Sequence, residues 1–332
     1  MKVLTRQVSA GSLLLGALLF ALCSSANAQQ SAKTPRIGFV SAAGDPNNPG
    51  PHVEAFRQGL RDLGYIEGKN ILLELRYHEG SPERVSSLVA ELVQLKVDVL
   101  VLGPQPAIRA AKQATKSVPI VIVTTQNPVA AGFVESLARP GGNITGVTLL
   151  QRELSGKRLE LLKDVLPGMS RVGALMNATQ SENDFKWYEA PARALKIDLQ
   201  LIRVPGPNPD FAAAFKAAAS GRVDALITIS GGLLNPNANR IGDLAIKNRL
   251  PSMHEKSDYV DARGLMSYSA DEAASNRRAA TYVDKILKGA NPAELPVEQP
   301  TDFDLVINLK TAKQIGLTIP PSVLARADRV IK

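Results

Sequence analysis

Residues 118–129 are Val118-Pro119-Ile120-Val121-Ile122-Val123-Thr124-Thr125-Gln126-Asn127-Pro128-Val129. The first half of this stretch is apolar and mostly β-branched, which is typical of a strand buried on both faces in a parallel sheet. The stretch turns polar from Thr124, and Pro128 ends it. In open α/β sheets, ligands lie in the crevice beyond the carboxyl ends of the strands. The stretch therefore predicts a central strand whose last residues form one side of a ligand cleft.

Strands and helices alternate on both sides of this stretch. Before it, the patterns predict strands at 36–41, 70–77 and 97–102, and helices that follow them from about residues 53, 81 and 107. After it, they predict strands at 171–176, 197–204, 223–230 and 250–253, and helices at 155–166, 187–195, 210–220 and 235–248. This βαβ order indicates two Rossmann-like lobes, each with a parallel sheet.

The alternation pauses near Gly141-Gly142-Asn143-Ile144-Thr145-Gly146 and becomes irregular again in the tail. The tail predicts a strand at 264–268, a helix at 271–288, an extended segment at 296–308 and a helix at 310–315. These surplus elements suggest that the chain crosses between the lobes more than once. Several crossovers make a hinge, and a hinge permits closure on a ligand.

The first residues have the pattern of a secretory signal peptide. Lys2 and Arg6 give a charged start, residues 13–22 are apolar, and Ala26-Asn27-Ala28 is a small-x-small cleavage site, so we expect a cut after Ala28. The apolar run is shorter than the ~20 residues of a membrane span. Leu22 precedes Cys23, where a lipobox has Gly or Ala, so we expect ordinary cleavage without lipidation.

Removing residues 1–28 from the 332 leaves 304 residues and no cysteine, because Cys23 is the only one. A cysteine-free exported chain of this size fits a bacterial periplasm, where a large core makes disulfides unnecessary.

The net charge is +8, of which the leader supplies two, leaving +6. The basic residues are scattered, and we interpret them as parts of solvated helix faces, not as a nucleic-acid surface. They include Arg57, Arg61, Lys69, Arg152, Lys157, Arg158, Arg277 and Arg278.

The sequence lacks the common signatures of catalysis. It has no Gly-x-Gly-x-x-Gly after a strand and no Gly-x-Ser-x-Gly. His52, His78 and His254 have no ligand spacing, and we expect them to be surface or loop residues. These observations favour a protein that is not an enzyme and needs neither metal nor cofactor.

Small and polar residues stand where the predicted strands end, and their convergence points to a binding cleft. The candidate ligand-binding residues are Ser41, Ala42, Gln105, Pro106, Gln126, Asn127, Asn177, Ser230, Gly231 and Tyr268. Helices that begin at Pro106-Ala107 and Pro128-Val129 would point free N–H groups at this cleft and favour an anion such as a carboxylate.

Several longer motifs resemble a family of ABC transporter substrate-binding proteins. The segment Phe133-Val-Glu-Ser-Leu-Ala-Arg-Pro-Gly-Gly-Asn-Ile-Thr-Gly146 is similar to the family's "sLArPGGNvTG" segment. The other similar segments are Gly264-Leu-Met-Ser-Tyr268, Arg278-Ala-Ala-Thr-Tyr-Val-Asp-Lys-Ile-Leu-Lys-Gly289, Leu295-Pro-Val-Glu-Gln-Pro300, Ile307-Asn-Leu-Lys-Thr-Ala312 and Leu324-Ala-Arg-Ala-Asp328. The resemblance spans essentially the whole chain after the leader.

The resemblance implies the type I periplasmic binding protein fold, with two Rossmann-like lobes joined by three crossover segments. We expect a first lobe of residues 33–149 plus 269–296 and a second lobe of residues 150–268 plus 303–332. It also implies that the family's binding loops fall on Ser41, Gln105, Gln126, Asn127, Asn177, Ser230 and Tyr268.

This chain departs from the family's pattern at two places in those loops. The family often has Asp-Pro where this chain has Asn127-Pro128, and again near Gly231-Gly232. The carboxylates that would pair with a ligand ammonium are therefore missing there. Glu255 offers a substitute if it faces the cleft, although at a helix start it would instead favour the helix dipole.

The expected function is the periplasmic binding component of an ABC importer. The protein would capture a small polar or aromatic solute, close around it as a monomer and deliver it to a permease in the inner membrane. Some members of the resembling family are associated with aromatic amino acids. Two alternatives remain: an exported ligand-sensing module for a membrane receptor, and an exported enzyme on the same scaffold.

Overall fold

The structure is a computed structural model that describes residues 34–41, 44–78, 82–206 and 208–332. The predicted signal peptide and Ala42 lie outside the described residues. The chain divides into two units, Met1–Thr34 and Pro35–Lys332, and the second unit contains both sheets. Within the described residues, no helix is long and apolar enough to cross a membrane.

The first sheet has five parallel strands in the order β2-β1-β3-β4-β5. Their bounds are β1 Arg36–Ser41, β2 Leu72–Tyr77, β3 Val99–Leu102, β4 Ile120–Thr124 and β5 Ile144–Thr148. The opening stretch forms β4, all five residues of which are buried. It lies between two parallel neighbours, so its continuous apolar run is explained by burial on both faces.

Helices cover both faces of this first sheet. They are α1 Pro51–Asp62, α2 Pro82–Gln94 and α3 Gln105–Ala114. A later helix, which follows β10 in the chain, joins them: Ala279, Ala280 and Val283 from its middle share a buried core with Phe39 of β1 and Phe56 of α1.

The second sheet has seven strands in the order β12-β11-β10-β9-β8-β6-β7. Their bounds are β6 Arg171–Asn177, β7 Asp198–Val204, β8 Ala225–Thr228, β9 Ser252–His254, β10 Met266–Ala270, β11 Phe303–Asn308 and β12 Arg329–Ile331. The remaining helices are α4 Ser155–Val165, α5 Glu182–Ala194, α6 Phe211–Ser220, α7 Ala238–Lys247, α8 Asp258–Asp261, α9 Glu272–Leu287, α10 Leu309–Ile315 and α11 Pro321–Leu324. Short 3-10 turns cover Asn235–Asn237 and Pro292–Glu294.

The chain passes between the two sheets three times, at residues 149–154, at 271 and at 299–302. The last passage brings the chain back to the carboxyl edge of the second sheet. From there β11 must run in the opposite direction, and it pairs antiparallel with β10. The predicted fold class, two α/β lobes joined by several crossovers, is confirmed, with β11 as the one departure from parallel pairing in the described sheets.

Two strands were missed by the sequence patterns, and several ends differ. The segment interpreted as a pause contains β5, and the last residues contain β12. The third strand of the second lobe is Ala225–Thr228, its fourth is Ser252–His254, and the strand expected at 264–268 is Met266–Ala270.

The reason that β5 was missed lies in Gly146. This glycine has a φ of 135°, and a Cβ there would lie 2.2 Å from the main-chain oxygen of Ile122 in β4. The tight approach of β5 to β4 therefore needs a glycine, a residue that ordinarily argues against a strand.

We expect Gly146→Ala to lower the free energy of unfolding by about 2–3 kcal/mol, because the new methyl group must push β5 away from β4. Gly142→Ala is the matched control, since a Cβ at Gly142 has nothing within 4 Å. Urea unfolding followed by circular dichroism measures both variants. Equal stability of the two would contradict this account of Gly146.

Candidate ligand-binding cleft

The carboxyl ends of β1, β3 and β4 form the first wall of the candidate cleft. Ser41 ends β1 and is buried, and its main-chain oxygen accepts a hydrogen bond from the N–H of His78 at 3.2 Å. Gln105 is half-buried and begins α3, and Pro106 is exposed. The helix expected from Pro106-Ala107 thus begins one residue earlier, with no side-chain cap on its first N–H groups. Those N–H groups remain able to bind an anion.

The residues after β4 form a tight turn. The main-chain oxygen of Gln126 accepts a hydrogen bond from Thr148 Oγ1 at 2.8 Å. Asn127 Oδ1 accepts from the N–H groups of Val129 and Ala130 at 3.0 and 3.1 Å. The expectation of a helix from Pro128-Val129 was therefore wrong: an asparagine-capped turn occupies this position.

The second wall of the candidate cleft consists of residues after β6 and β8. Asn177 ends β6, and its Oδ1 accepts from the N–H of Thr179 at 3.1 Å. The N–H of Ser230 donates to Glu255 Oε2 at 2.8 Å, and its carbonyl accepts from Gln180 Nε2 at 3.1 Å.

Gly231 completes this wall because Gln180 packs directly against it. A Cβ at Gly231 would lie 2.6 Å from Gln180 Oε1. The N–H of Gly231 donates to Asn235 Oδ1 at 3.3 Å. The side chain of Gln180 therefore donates a hydrogen bond to Ser230 and packs against Gly231.

Tyr268 has a different position from the one expected. It does not end its strand, because β10 continues to Ala270. Its ring stacks on Phe303 of β11 with 5.8 Å between the centroids, and it packs beside the buried core of the second lobe. Burial, followed by Asp328, raises the pKa of its hydroxyl. Its main-chain oxygen accepts from Arg158 Nε at 2.8 Å.

Arg158 is the residue that sequence reasoning missed most clearly. It was interpreted as part of a solvated face, yet it is wholly buried. Its Nη1 donates to the main-chain oxygen of Gln151 at 2.6 Å and to Tyr188 Oη at 3.3 Å, and lies 3.5 Å from Glu255 Oε1. Its Nη2 donates to Gln151 Oε1 at 2.5 Å. The available signal was its spacing of four and seven residues from Leu162 and Val165 on the apolar stripe of α4.

Glu255 is the acidic centre of the same cluster. It is buried, its Oε1 accepts from Tyr188 Oη at 2.8 Å, and it does not begin a helix, because α8 starts at Asp258. Burial, and next the charge of Glu255, raises the pKa of the Tyr188 hydroxyl. The carboxylate that the sequence offered as a partner for a ligand ammonium is thus occupied by Arg158, Tyr188 and Ser230.

A second carboxylate near the cleft is occupied in the same way. Asp184 is buried and forms an ion pair with Arg152, which lies on the first crossover and is half-buried instead of solvated. Asp184 Oδ2 also accepts from Gln180 Nε2 at 2.8 Å. Asp184 and Glu255 therefore both stabilise residues of the second wall through hydrogen bonds.

An ion pair runs between elements of the two lobes beside the second crossover. Lys256 Nζ, after β9, lies 2.9 Å from Glu272 Oε1, at the start of α9. His52 Nε2, in α1, lies 3.3 Å from Glu272 Oε2. Burial opposes ionisation of Glu272, but the charge of Lys256 holds the pKa of this carboxyl below its usual range.

His254 is not the surface or loop residue that we expected, whereas His78 is a loop residue, although a buried one. His254 is fully buried in β9, where Nδ1 lies 2.9 Å from Thr228 Oγ1 and Nε2 lies 2.9 Å from Ser252 Oγ. Its ring stacks on Tyr259 at 4.8 Å. His78 is also buried, directly after β2. Among the described residues, no group of three or more His, Cys, Asp or Glu side chains is arranged to hold a metal ion.

Several buried polar atoms at the carboxyl edge have no hydrogen-bond partner among the described residues. They include Ser230 Oγ, Gln180 Oε1 and Gln151 Nε2. Buried polar groups are normally paired, so unpaired ones require an explanation, such as a bound molecule. All three are neutral groups. Each is enclosed by protein atoms, so a molecule in the cleft reaches them only if the side chains around them move.

A family model described as "ABC transporter substrate binding protein" matches residues 50–331. The chain belongs to the ABC transporter substrate-binding protein family. The resemblance seen in the sequence is thereby confirmed, and with it the expectation of a substrate-binding protein.

This substrate-binding protein is 24% identical over 265 residues to a tyrosine-binding protein of Clostridioides difficile (strain R20291), with 80% of this chain and 76% of the relative covered. It is similar to the crystal structure of an ABC domain in complex with L-Trp from Streptococcus pneumonia. The TM-score is 0.79 at 26% identity, covering 90% of this chain and 100% of that one. A conserved domain protein from Vibrio cholerae gives a TM-score of 0.79 at 28% identity, with the same coverage. The fold is that of type I periplasmic binding proteins.

We expect the stability of this binding protein to decrease below about pH 6.5 because of His254. Burial lowers its folded-state pKa to about 3, whereas in the unfolded chain it is about 6.5. Between these values only the unfolded state takes up the proton, so each pH unit of acidification costs at most about 1.4 kcal/mol.

Urea unfolding of the wild type and His254→Gln between pH 7.5 and 4 measures this effect. The difference in free energy between the two proteins should be constant above pH 7 and shrink below pH 6. Parallel curves over the whole range would show that His254 does not titrate in this way.

Proposed function

We propose that the protein captures a small polar or aromatic solute between its two lobes and passes it to the permease of an ABC importer in the inner membrane. The carrying observation is that polar residues end or follow strands at the carboxyl edges of both sheets, Gln126 and Asn127 in the first and Asn177 and Ser230 in the second. In open α/β folds this edge is where ligands bind. Family membership supports the same function.

We propose that the ligand is contacted by residues of both walls. These are Ser41, Ala42, Gln105, Pro106, Gln126, Asn127, Asn177, Ser230, Gly231 and Tyr268. We also propose a first lobe of residues 33–149 plus 269–296 and a second lobe of residues 150–268 plus 303–332. The two sheets support this division except at Ser269 and Ala270, which lie in β10 of the second sheet.

The chemistry of the walls favours recognition by neutral groups. The proposed contact residues carry amides, hydroxyls and main-chain N–H groups, and none carries a charge at neutral pH. Asp184 and Glu255 are engaged by Arg152 and Arg158. An aromatic ring with hydrogen-bonding substituents suits such walls, and relatives that bind tyrosine or L-Trp support this solute class.

We propose that the protein acts as a monomer in the periplasm, after cleavage behind Ala28 and without lipidation of Cys23. The family consists of binding proteins that act outside the cytoplasmic membrane. Mass spectrometry of the exported protein tests this proposal: a mature chain that begins at Gln29 supports it, whereas a diacylglyceryl group on Cys23 would contradict it.

A thermal-shift screen over aromatic amino acids, aromatic carboxylates and nucleobases tests the function. A solute at a hundred times its Kd stabilises the folded state by about 2.7 kcal/mol, and we expect at least one aromatic solute to produce such a shift. Recovery of the solute by chromatography is the control: chemical conversion would indicate an enzyme. No shift with any solute would argue against the proposed solute class.

We expect the double variant Gln126→Ala/Asn127→Ala to weaken binding of the best solute by about tenfold to a hundredfold, because two hydrogen-bonding groups of the first wall are lost. Isothermal titration calorimetry measures the affinity. Asn127→Asp is the matched control, since a carboxylate can still accept from the N–H groups of Val129 and Ala130 and keep the turn. Unchanged affinity of the double variant would remove these residues from the site.

A further inference from the structure

Gln151, on the first crossover, has hydrogen bonds to both lobes. Its N–H donates to the main-chain oxygen of Thr125, directly after β4, at 3.2 Å. Its main-chain oxygen and its Oε1 accept from Arg158 of the second lobe at 2.6 and 2.5 Å. The side chain of Gln151 is buried although it lies on a connecting segment. A connection that usually runs over the surface is here fixed inside the protein.

Arg158 continues this contact into the second wall. Its Nε holds the main-chain oxygen of Tyr268, two residues before the end of β10 and next to the second crossover. Its Nη1 lies beside Glu255, whose other oxygen holds the N–H of Ser230. An unbroken series of polar contacts therefore connects Thr125 of the first wall with Ser230 of the second.

The physical chemistry of Arg158 makes this series rigid. Its guanidinium stays ionised and directs its donors in a fixed plane. A buried charge is tolerated only with its partners in place, because an unpaired one is strongly destabilising. The contacts of this side chain therefore restrain the groups that it binds.

We propose that Arg158 and Gln151 are positioning residues for ligand capture, because together they fix the hinge relative to both walls of the cleft. This inference rests on the proposed function in that it assumes capture by lobe closure. With the contact intact, the lobes sample a narrow range of separations, and a captured solute meets both walls in register. Without it, the range widens and the solute dissociates faster.

A purely local role for Arg158 makes a different prediction. If the guanidinium only filled the core of the second lobe, its contact to Tyr188 would matter as much as its contact to Gln151. Gln151→Met removes the side-chain acceptor on the crossover, with little change in side-chain length, and also removes the unpaired Nε2. The main-chain oxygen of residue 151 still accepts from Arg158 Nη1. Tyr188→Phe removes a hydroxyl that contacts Arg158 and Glu255 within the second lobe. The two variants therefore distinguish a role of Arg158 at the hinge from a role in the core of the second lobe.

The test measures the distance between the lobes by electron spin resonance. Cys23 is the only cysteine of the sequence, so Cys23→Ser gives a background without thiols. Spin labels are attached at Gln113→Cys in α3 and Lys186→Cys in α5, both of which are exposed. We expect Gln151→Met to widen the ligand-free distance distribution at least about twofold, whereas Tyr188→Phe leaves its width unchanged and lowers the melting temperature.

Gln151→Glu provides the rescue, because its carboxylate restores an acceptor oxygen to Arg158 and should return the distribution to its wild-type width. A wild-type width in Gln151→Met, or equal widening in Tyr188→Phe, would overturn the proposal. The distance measurement needs no ligand, so failure of the solute screen would reject the proposed function separately. If L-tryptophan binds the wild type, we expect Gln151→Met to weaken its binding by about tenfold through faster dissociation.

Discussion

The burial of one guanidinium constrains the region around the candidate cleft. Arg158 is wholly enclosed between a crossover, a strand and a carboxylate. Removing one partner of such a buried pair typically costs about 3–5 kcal/mol. Gln151, Tyr188, Glu255 and the carbonyl of Tyr268 must therefore keep their positions for the fold to remain stable. Glu255 in turn accepts a hydrogen bond from Ser230. The contacts that neutralise the buried Arg158 therefore also fix the geometry of the second wall.

The two walls of the cleft are built in different ways. The first wall is made mainly by backbone geometry: β4 ends, Asn127 caps a turn, and the β4–β5 ladder continues into the crossover through the N–H groups of Leu149 and Gln151. The second wall is made by side chains, with Gln180 and Glu255 holding the loop after β8. Substitutions of the side chains that support the second wall should consequently change ligand affinity, whereas the geometry of the first wall depends on its local sequence.

Periodicity made much of the fold predictable, because burial on one helix face or on both strand faces leaves a direct record in residue type. The apolar run of β4 and its polar end are examples. Contacts between distant residues leave no such record. The residues next to Arg158 in the sequence do not indicate that Tyr268 and Gln151 will accept its hydrogen bonds. Those next to His254 likewise do not indicate that Thr228 and Ser252 will lie against its ring nitrogens. β5 was missed because Gly146, which disfavours a strand, is required by the close approach of the Ile122 main chain. The position of Tyr268 was wrong because the end of its strand was placed two residues too early.

The position of α9 has a consequence for how the protein forms during synthesis. This helix follows β10 in the chain but completes the core of the first lobe, where Tyr65 donates a hydrogen bond to Asp284, 219 positions later. Contacts between residues so far apart form slowly, since a long loop must close first. A nascent chain that has only reached the second lobe therefore exposes the apolar residues of β1 and α1 that α9 will cover. Such a chain is prone to aggregation until α9 has been synthesised and can pack against β1 and α1.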